Sequence, residues 1–196
     1  CSIGTVFTPQ ATTLTITVLL HGIGSSGDNV NPASSLSNKT PVHTNRNFGV
    51  SIYDTKDNKL VQEVSSDNLT YDAIKGSYNV AVNLNSSFVS GRYIVQIKTD
   101  YHLRKQFPGA IQITANQNNI LTPVTLIAGD VDNGNQLDIR DYNAIIDCYS
   151  DFEAPISCDA DKKLSTDLND DGKVDQLDYN LLLREWLVQV GDVVGT

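Results

Sequence analysis

Acidic and amide side chains recur at a fixed spacing in the C-terminal third of the chain. One run begins at Asp130 and a second at Asp167, which is 37 residues further on. Within each run, oxygen-bearing side chains occupy positions 1, 3, 9 and 12 of a twelve-residue loop. A calcium ion binds six to eight oxygen ligands, and a loop of this spacing winds them around one ion. Two such loops in register therefore predict two bound calcium ions (Ca2+), a conclusion that a single Asp-rich turn would not support.

Every predicted ligand is an oxygen of a side chain or of the backbone carbonyl at position 7. The first loop supplies Asp130, Asp132, the Gln136 carbonyl, Asp138 and Asp141. The second loop supplies Asp167, Asn169, Asp171, the Lys173 carbonyl, Asp175 and Asp178. Position 6 of the second loop is Gly172, which suits a sharp turn with positive φ. Position 5 of the first loop is Gly134, which offers no side-chain ligand, so we expect that site to form with lower affinity.

Apolar residues with helical spacing follow each loop. Residues 144–148 and 182–187 each place apolar side chains on one face of a helix. The sequence therefore predicts a loop and then a helix in each half, with position 12 in the first turn of that helix. The apolar residues at position 8, Leu137 and Val174, are expected to pair in a short bridge that ties the two loops together.

Upstream of the loops, apolar and polar residues alternate in short runs that are separated by turns. Runs with this period of two lie at 14–18, 48–52, 60–64, 78–84, 93–97, 111–113 and 120–126. They predict an all-β, antiparallel sandwich of about seven strands, followed by a small α module of two EF-hand-like loop–helix repeats. We therefore divide the chain into an N-terminal extension (1–13), a β-sandwich domain (14–127) and a calcium-binding domain (128–196).

The two parts of the chain differ in net charge. Residues 1–125 contain 7 acidic and 9 basic side chains, whereas residues 126–196 contain 16 acidic and 5 basic ones, so their net charges are +2 and −11. A strongly acidic surface repels phosphate groups, which argues against nucleic acid and anionic lipid as partners. The same surface suits hard cations, which require oxygen ligands.

The cysteines and the absence of methionine indicate the cellular compartment in which the protein resides. Cys148 and Cys158 are ten positions apart, and a disulfide between them would stabilise the fold by about 2–3 kcal/mol in an oxidising compartment; two free thiols are the alternative. A chain that starts at Cys1 and lacks methionine predicts a processed product that is extracellular or on the cell surface. Cys1 also resembles the lipid-bearing cysteine of bacterial lipoproteins, and such a lipid is the one membrane attachment that we consider. A trimmed chain is the alternative.

The paired loops resemble a dockerin module of type I character. The resemblance rests on Gly-Asp-Val-Asp at residues 129–132, on two loop–helix halves that lack the first helix of a full EF-hand, and on aspartate at position 12. It covers about residues 129–190. Residues 90–95 resemble strands of Ig-like or prealbumin-like sandwiches, and the whole arrangement resembles surface proteins of bacteria. The resemblance implies that the module docks onto a cohesin-like β-sandwich and attaches the chain to a scaffold.

Dockerins contact their partners through loop positions 10 and 11 and through the helix that follows. The resemblance implies the following partner-binding residues: Ile139, Arg140, Ile146 and Asp147 in the first half, and Gln176, Leu177, Leu183 and Arg184 in the second. Positions 10 and 11 lack the small hydroxyl pairs that are common in cellulosomal dockerins.

An enzyme and a glycan-binding protein are the competing interpretations. Residues 21–24, His-Gly-Ile-Gly after a strand, are similar to the oxyanion loop of α/β-hydrolases, but the chain has no Gly-x-Ser-x-Gly motif, so we expect no enzyme. The alternative function is a carbohydrate-binding sandwich that is attached through its dockerin to a cohesin-bearing scaffold. Its candidate aromatic residues are Tyr53, Tyr71, Tyr78 and Tyr101, although the alternation predicts that Tyr78 and Tyr93 lie in the core.

The favoured interpretation is a non-catalytic, extracellular assembly protein. Its partner is a cohesin-like β-sandwich or another copy of itself, and head-to-tail docking of copies would build a surface filament. The opposite net charges of the two parts favour that orientation. Candidate glycosylation sites are Asn38, Asn68 and Asn85, although sequons are expected by chance at about this frequency.

Overall fold

The computed structural model describes residues 10–24, 37–152, 155, 158–187 and 190–193. In chain order, the elements are β1 (Thr13–Leu20), β2 (Asn45–Asp54), β3 (Leu60–Asp72), β4 (Ser77–Asn83), β5 (Gly91–Thr99), β6 (Tyr101–His102), β7 (Lys105–Gln106), β8 (Ile111–Ile113), β9 (Asn118–Ile120), β10 (Val124–Leu126), β11 (Ala128–Asp130), α1 (Ile139–Cys148), α2 (Ala160–Thr166) and α3 (Gln176–Glu185). Cys1 and most of the predicted N-terminal extension lie outside the described residues.

The expected number of about seven strands is wrong, because the described residues contain eleven. The missed strands β6, β7 and β11 have two or three residues each, which is too short to display an alternation. The single strand expected at 120–126 is two strands, β9 and β10. Pro123 lies between them, and a proline cannot donate a hydrogen bond to a strand ladder.

Nine strands form one curled sheet in the order β10-β1-β4-β3-β2-β5-β7, with β8 paired to β5 and β9 paired to β1. β2 is antiparallel to both of its neighbours, β3 and β5. β1 runs parallel to β9 and β10, so the expectation of a purely antiparallel sheet is wrong. Parallel neighbours require a crossover connection, and the strands between β1 and β9 supply it.

The curled sheet encloses one apolar core, which makes the fold sandwich-like. Alternate residues of β1, from Leu14 to Leu20, are fully or almost fully buried, as the alternation predicts. The core continues through Val50, Ile52, Val95, Ile97 and Phe107. Tyr78 and Tyr93 are buried, which confirms the prediction that they lie in the core.

The C-terminal part begins at β11, which pairs with β6. The helices α1 and α3 follow the two loops as predicted, whereas α2, between them, was not foreseen. A second apolar cluster joins these elements through Val131, Ile145, Leu168, Val174, Leu181 and Leu182. The disulfide between Cys148 and Cys158 is present, and it ties the end of α1 to the start of α2. No helix among the described residues is long and apolar enough to cross a membrane.

Candidate metal centre

The second loop, residues 167–178, brings the side chains of positions 1, 3 and 5 together. The amide N–H of Asp171 donates to Asp167 Oδ1 and to Asn169 Oδ1, at 3.0 Å in each case. The N–H of Gly172, at a φ of +88°, donates to Asp167 Oδ2 at 2.7 Å. Asn169 Nδ2 donates to Asp171 Oδ2 at 3.2 Å. These local hydrogen bonds orient the predicted ligands toward the inside of the loop.

Asp178 closes this loop from the first turn of α3. Its Oδ1 accepts the N–H of Asn169 at 3.1 Å and its Oδ2 accepts the N–H of Asp175 at 2.9 Å. Asp175 in turn caps α3 by accepting the N–H of Leu177 at 2.8 Å. This reciprocal capping fixes positions 9 and 12 relative to each other. Lys173, at position 7, is exposed, and its N–H donates to the side chain at position 5.

Two carboxyl groups of the second loop hold their protons unusually tightly. Burial raises the pKa of Asp178 to about 7 and that of Asp167 to about 6, and neighbouring carboxylates act in the same direction. Several buried carboxylates cannot all be charged at low cost without a nearby cation. A divalent cation removes this repulsion, and calcium prefers oxygen ligands. The donor set of the second loop therefore fits a calcium ion.

The first loop, residues 130–141, repeats the same local geometry. Carboxylate oxygens of Asp130, Asp132 and Asp141 lie within 4.8 Å of one another. The N–H of Asn135, at a φ of +61°, donates to both oxygens of Asp130 at 2.9 and 3.0 Å. Asp141 accepts the N–H of Asp138 at 2.8 Å, and burial raises the pKa of the Asp141 carboxyl. The side chains present here also fit a cation.

The two loops differ in the charges around their ligands. In the first loop, Lys98 Nζ lies 2.5 Å from Asp130 Oδ2, and Arg140 lies 3.5 Å from Asp132 Oδ2 and 3.4 Å from Asp138 Oδ2. Among the described residues, no lysine or arginine pairs with a predicted ligand of the second loop. Neighbouring cations therefore neutralise less of the carboxylate charge in the second loop than in the first.

Each loop is supported by the segment that follows the helix of the other half. Gln136, at position 7 of the first loop, bridges to Val190 beyond α3. The carbonyl of Val174 accepts the N–H of Ser150 beyond α1 at 3.0 Å. The expected bridge between Leu137 and Val174 does not form in the described part of the chain, although both side chains are buried. The residues just before each helix instead contact the residues just after the other helix.

The residue that attaches the second loop to the sandwich, Asp170, is not among those predicted from the sequence. Asp170, at position 4, is 2% exposed and has a φ of +57°. Its carboxylate accepts the N–H of His43 at 2.9 Å and lies 2.6 Å from His43 Nδ1 and 2.9 Å from Arg46 Nη2. Its carbonyl accepts the N–H of Val42 at 3.0 Å and Asn38 Nδ2 at 2.7 Å. The sequence does offer one indication of this role, since an acidic residue stands at position 4, which supplies no ligand to the ion.

The first loop meets the sandwich at the corresponding position. Asn133, at position 4, also has a φ of +57°, and its Oδ1 accepts the N–H of Tyr101 at 2.9 Å. Asn135 Oδ1 accepts the N–H of Arg104 at 2.7 Å. In the second loop the contact with the sandwich is made by Asp170, which is not a predicted ligand, whereas in the first loop the predicted ligand Asp130 also pairs with Lys98 of β5.

Histidines provide further contacts that the sequence did not reveal. His21, after β1, is buried with its Nδ1 2.8 Å from Glu185 Oε1 of α3. Arg184 Nη2 lies 2.7 Å from the same oxygen, so this predicted partner-binding residue faces the junction with the sandwich. Burial lowers the pKa of His102 to about 3, which keeps its ring neutral, and its Nδ1 donates to a backbone carbonyl at 2.9 Å.

The remaining predicted partner-binding residues lie mainly on the surface. Ile139, Ile146 and Leu183 are large apolar side chains that are 60%, 43% and 46% exposed. Arg140, Asp147 and Gln176 are exposed, and Leu177 is partly exposed. Residues from α1 and α3 also line a cleft of about 240 Å³: Ile146, Tyr149, Gln176, Tyr179 and Asn180.

Two of the four candidate glycan residues, Tyr71 and Tyr78, lie together, with their ring centroids 5.1 Å apart. Tyr78 is buried, whereas Tyr53, Tyr71 and Tyr101 are partly exposed. Tyr101 lines an open cleft of about 330 Å³ that includes Asn45 and Asp67. Of the candidate glycosylation sites, Asn68 and Asn85 are exposed, and Asn38 is engaged with the second loop.

Comparison with solved structures finds the same overall fold in a crystal structure of a type II cohesin–X–dockerin complex from Acetivibrio cellulolyticus that carries an N-terminal interface mutation. The match covers 89% of this chain and 94% of the matched chain, at 18% identity and a TM-score of 0.54. A C-terminal interface mutant of the complex matches over the same shares, at 18% identity and a TM-score of 0.50. At this identity the similarity establishes the fold alone. No protein-family model matches the chain, and no curated protein matches it.

Proposed function

We propose that residues 128–196 form a dockerin-like module that binds two calcium ions and docks onto a protein partner. In this proposal the protein is non-catalytic and acts in assembly outside the cell or at its surface, where a disulfide persists. The sandwich, residues 14–127, supports the module through Asp170 and the contacts around it.

The observation that carries the proposal is a pair of loops with the same hydrogen-bond pattern, of which the first brings carboxylate oxygens of Asp130, Asp132 and Asp141 within 4.8 Å of one another. Asp167, Asn169 and Asp171 are held together by shared amide hydrogen bonds, and Asp178 closes the loop from α3. The likeness to a chain of a cohesin–X–dockerin complex adds support, because it extends over almost the whole length of both chains. That complex joins two proteins, and the exposed apolar side chains on α1 and α3 would suit the same use here.

Calorimetry tests the calcium part of the proposal. Titration of calcium into the intact protein should release or absorb heat and reach saturation at two ions, with the second loop filled first. Asp178→Asn keeps the size of the side chain but removes a negative ligand, so calcium affinity should fall by at least the roughly 10–100-fold that loss of a residue orienting a metal ligand costs. Asp161→Asn, an exposed carboxylate in α2, is the matched control and should leave binding unchanged. Absence of any calcium-dependent heat, with the same melting curve in chelator, would reject the proposal.

The partner is tested separately. The protein should bind a purified type II cohesin or its own copies in calcium, and chelation should abolish the interaction. Leu183→Asp, which puts a charge into the exposed apolar surface, should weaken docking without changing calcium affinity. Sedimentation as a monomer at every concentration in saturating calcium would exclude self-assembly, and failure to bind the cohesin as well would exclude this docking face.

A further inference from the structure

A lysine of the sandwich places its positive charge beside a predicted ligand of the first loop. Lys98, in β5, places its Nζ 2.5 Å from Oδ2 of Asp130, the predicted ligand at position 1. The same ammonium donates to the carbonyl of His102 at 2.7 Å. The Lys98 side chain is 19% exposed and Asp130 is fully buried, so the ion pair is largely shielded from water. Such shielding makes the attraction much stronger than that of an exposed pair.

This ion pair opposes calcium in two ways. In the absence of an ion, the ammonium neutralises one member of a group of carboxylates that would otherwise repel one another, so it stabilises the empty loop. When a calcium ion binds, Asp130 must interact with the ion and with the Lys98 ammonium at the same time, or Lys98 must move away. Arg140 has a weaker effect, because its side chain is 74% exposed and its closest ligand oxygen is 3.4 Å away.

We propose that Lys98 is an internal competitor for calcium at the first loop, so that a strand of the sandwich sets the calcium affinity of that loop. The second loop has no such competitor among the described residues and fills at lower calcium concentration. This inference rests on the proposed function, since it takes calcium binding by both loops as given. At limiting calcium, the first loop would remain folded around Lys98 while the second holds its ion.

Lys98→Met tests the inference, because methionine keeps most of the length of lysine and removes the charge. Two backbone amides report each loop separately by nuclear magnetic resonance. The N–H of Asn135 binds the position 1 carboxylate of the first loop, and the N–H of Gly172 binds that of the second. In the Lys98→Met protein, the calcium midpoint for the Asn135 amide should fall by about tenfold or more, the size expected when a fixed like charge is removed from a shielded site. The midpoint for Gly172 should stay the same.

Lys105→Met is the matched control. Lys105 also joins the sandwich to an acidic residue of the C-terminal part, Asp192, at 3.2 Å, but it touches no predicted ligand. It should leave both midpoints unchanged. Lys98→Gln, which has a neutral polar side chain, gives a second neutral variant if Lys98→Met folds poorly.

The possible outcomes separate the inference from the proposed function. If neither amide responds to calcium in the unaltered protein, the proposed calcium binding fails. If both respond and the neutral variants leave the Asn135 midpoint within about twofold, Lys98 does not compete and only the inference fails; a tenfold change is equivalent to 1.4 kcal/mol. If the midpoints of both loops move together, Lys98 acts through general stability, and the inference also fails.

Discussion

Replacing Asp170 with asparagine tests whether the sandwich holds the second loop in place. Asparagine keeps the shape of the side chain and tolerates the φ of +57° at this position. The substitution removes the negative charge that faces Arg46, whose side chain is only 10% exposed. Asparagine also has only one side-chain oxygen to accept hydrogen bonds from His43 and Arg46, whereas aspartate has two.

The size of the effect follows from these contacts. Asp170 lies 2.6 Å from His43 Nδ1 and 2.9 Å from Arg46 Nη2. A hydrogen bond to a charged group contributes about 1.5–3 kcal/mol, and loss of one member of a buried ion pair costs about 3–5 kcal/mol. Because asparagine retains one acceptor, we expect the free energy of unfolding to fall by about 3 kcal/mol. In a chain of 196 residues this lowers Tm by about 6–12 °C.

Urea denaturation in saturating calcium measures this change, with calorimetry for Tm. The slope of the denaturation curve should stay the same, because the surface exposed on unfolding does not change. Asp67→Asn is the matched control, since Asp67 is an exposed carboxylate in β3, and it should unfold like the unaltered protein. A loss below about 1 kcal/mol for Asp170→Asn would place the pair among exposed ion pairs and refute the argument that the loop depends on the sandwich.

Three other predictions concern the C-terminal part. In the folded, calcium-free protein, burial raises the pKa of Asp178 to about 7, so the stability linked to its proton is present at low pH and is lost as the pH rises through that value. The difference in Tm between calcium and chelator should therefore widen from about pH 5 to about pH 8. A constant difference would contradict this prediction. Replacement of Cys148 and Cys158 by serine should lower the free energy of unfolding by about 2–3 kcal/mol in urea denaturation, and an unchanged curve would show that the bridge does not constrain the unfolded chain. Gly22→Ala should lower Tm more than Gly109→Ala. Both glycines have positive φ, but only at Gly22 would the new Cβ lie 2.4 Å from a leucine side chain of α3. Equal losses of Tm would mean that this junction is not tightly packed.

The local features were predictable because short stretches of sequence encode them. The hydrogen bonds that orient Asp167 and Asp178 come from amides within the same twelve residues, so their spacing is sufficient to predict a common loop. Burial of alternate residues in β1 and helices after both loops follow equally from local periodicity. The disulfide required only two cysteines at a suitable distance. The two-residue strands gave no such signal, and for that reason the number of strands came out too low.

By itself, the sequence determined the composition of the two oxygen-rich loops, the position of each helix after its loop and the alternation that buries one face of the long strands. Only the tertiary structure decided what each loop touches. The contact of Asp170 with His43 spans 127 residues, and that of Lys98 with Asp130 depends on where β5 lies in the sheet. Such contacts depend on strand order, including the parallel placement of β9 and β10 beside β1, which no local pattern specifies. The physical reason is that ligand spacing is fixed by backbone geometry over a few residues, whereas charge pairing across the molecule is fixed by how distant elements pack.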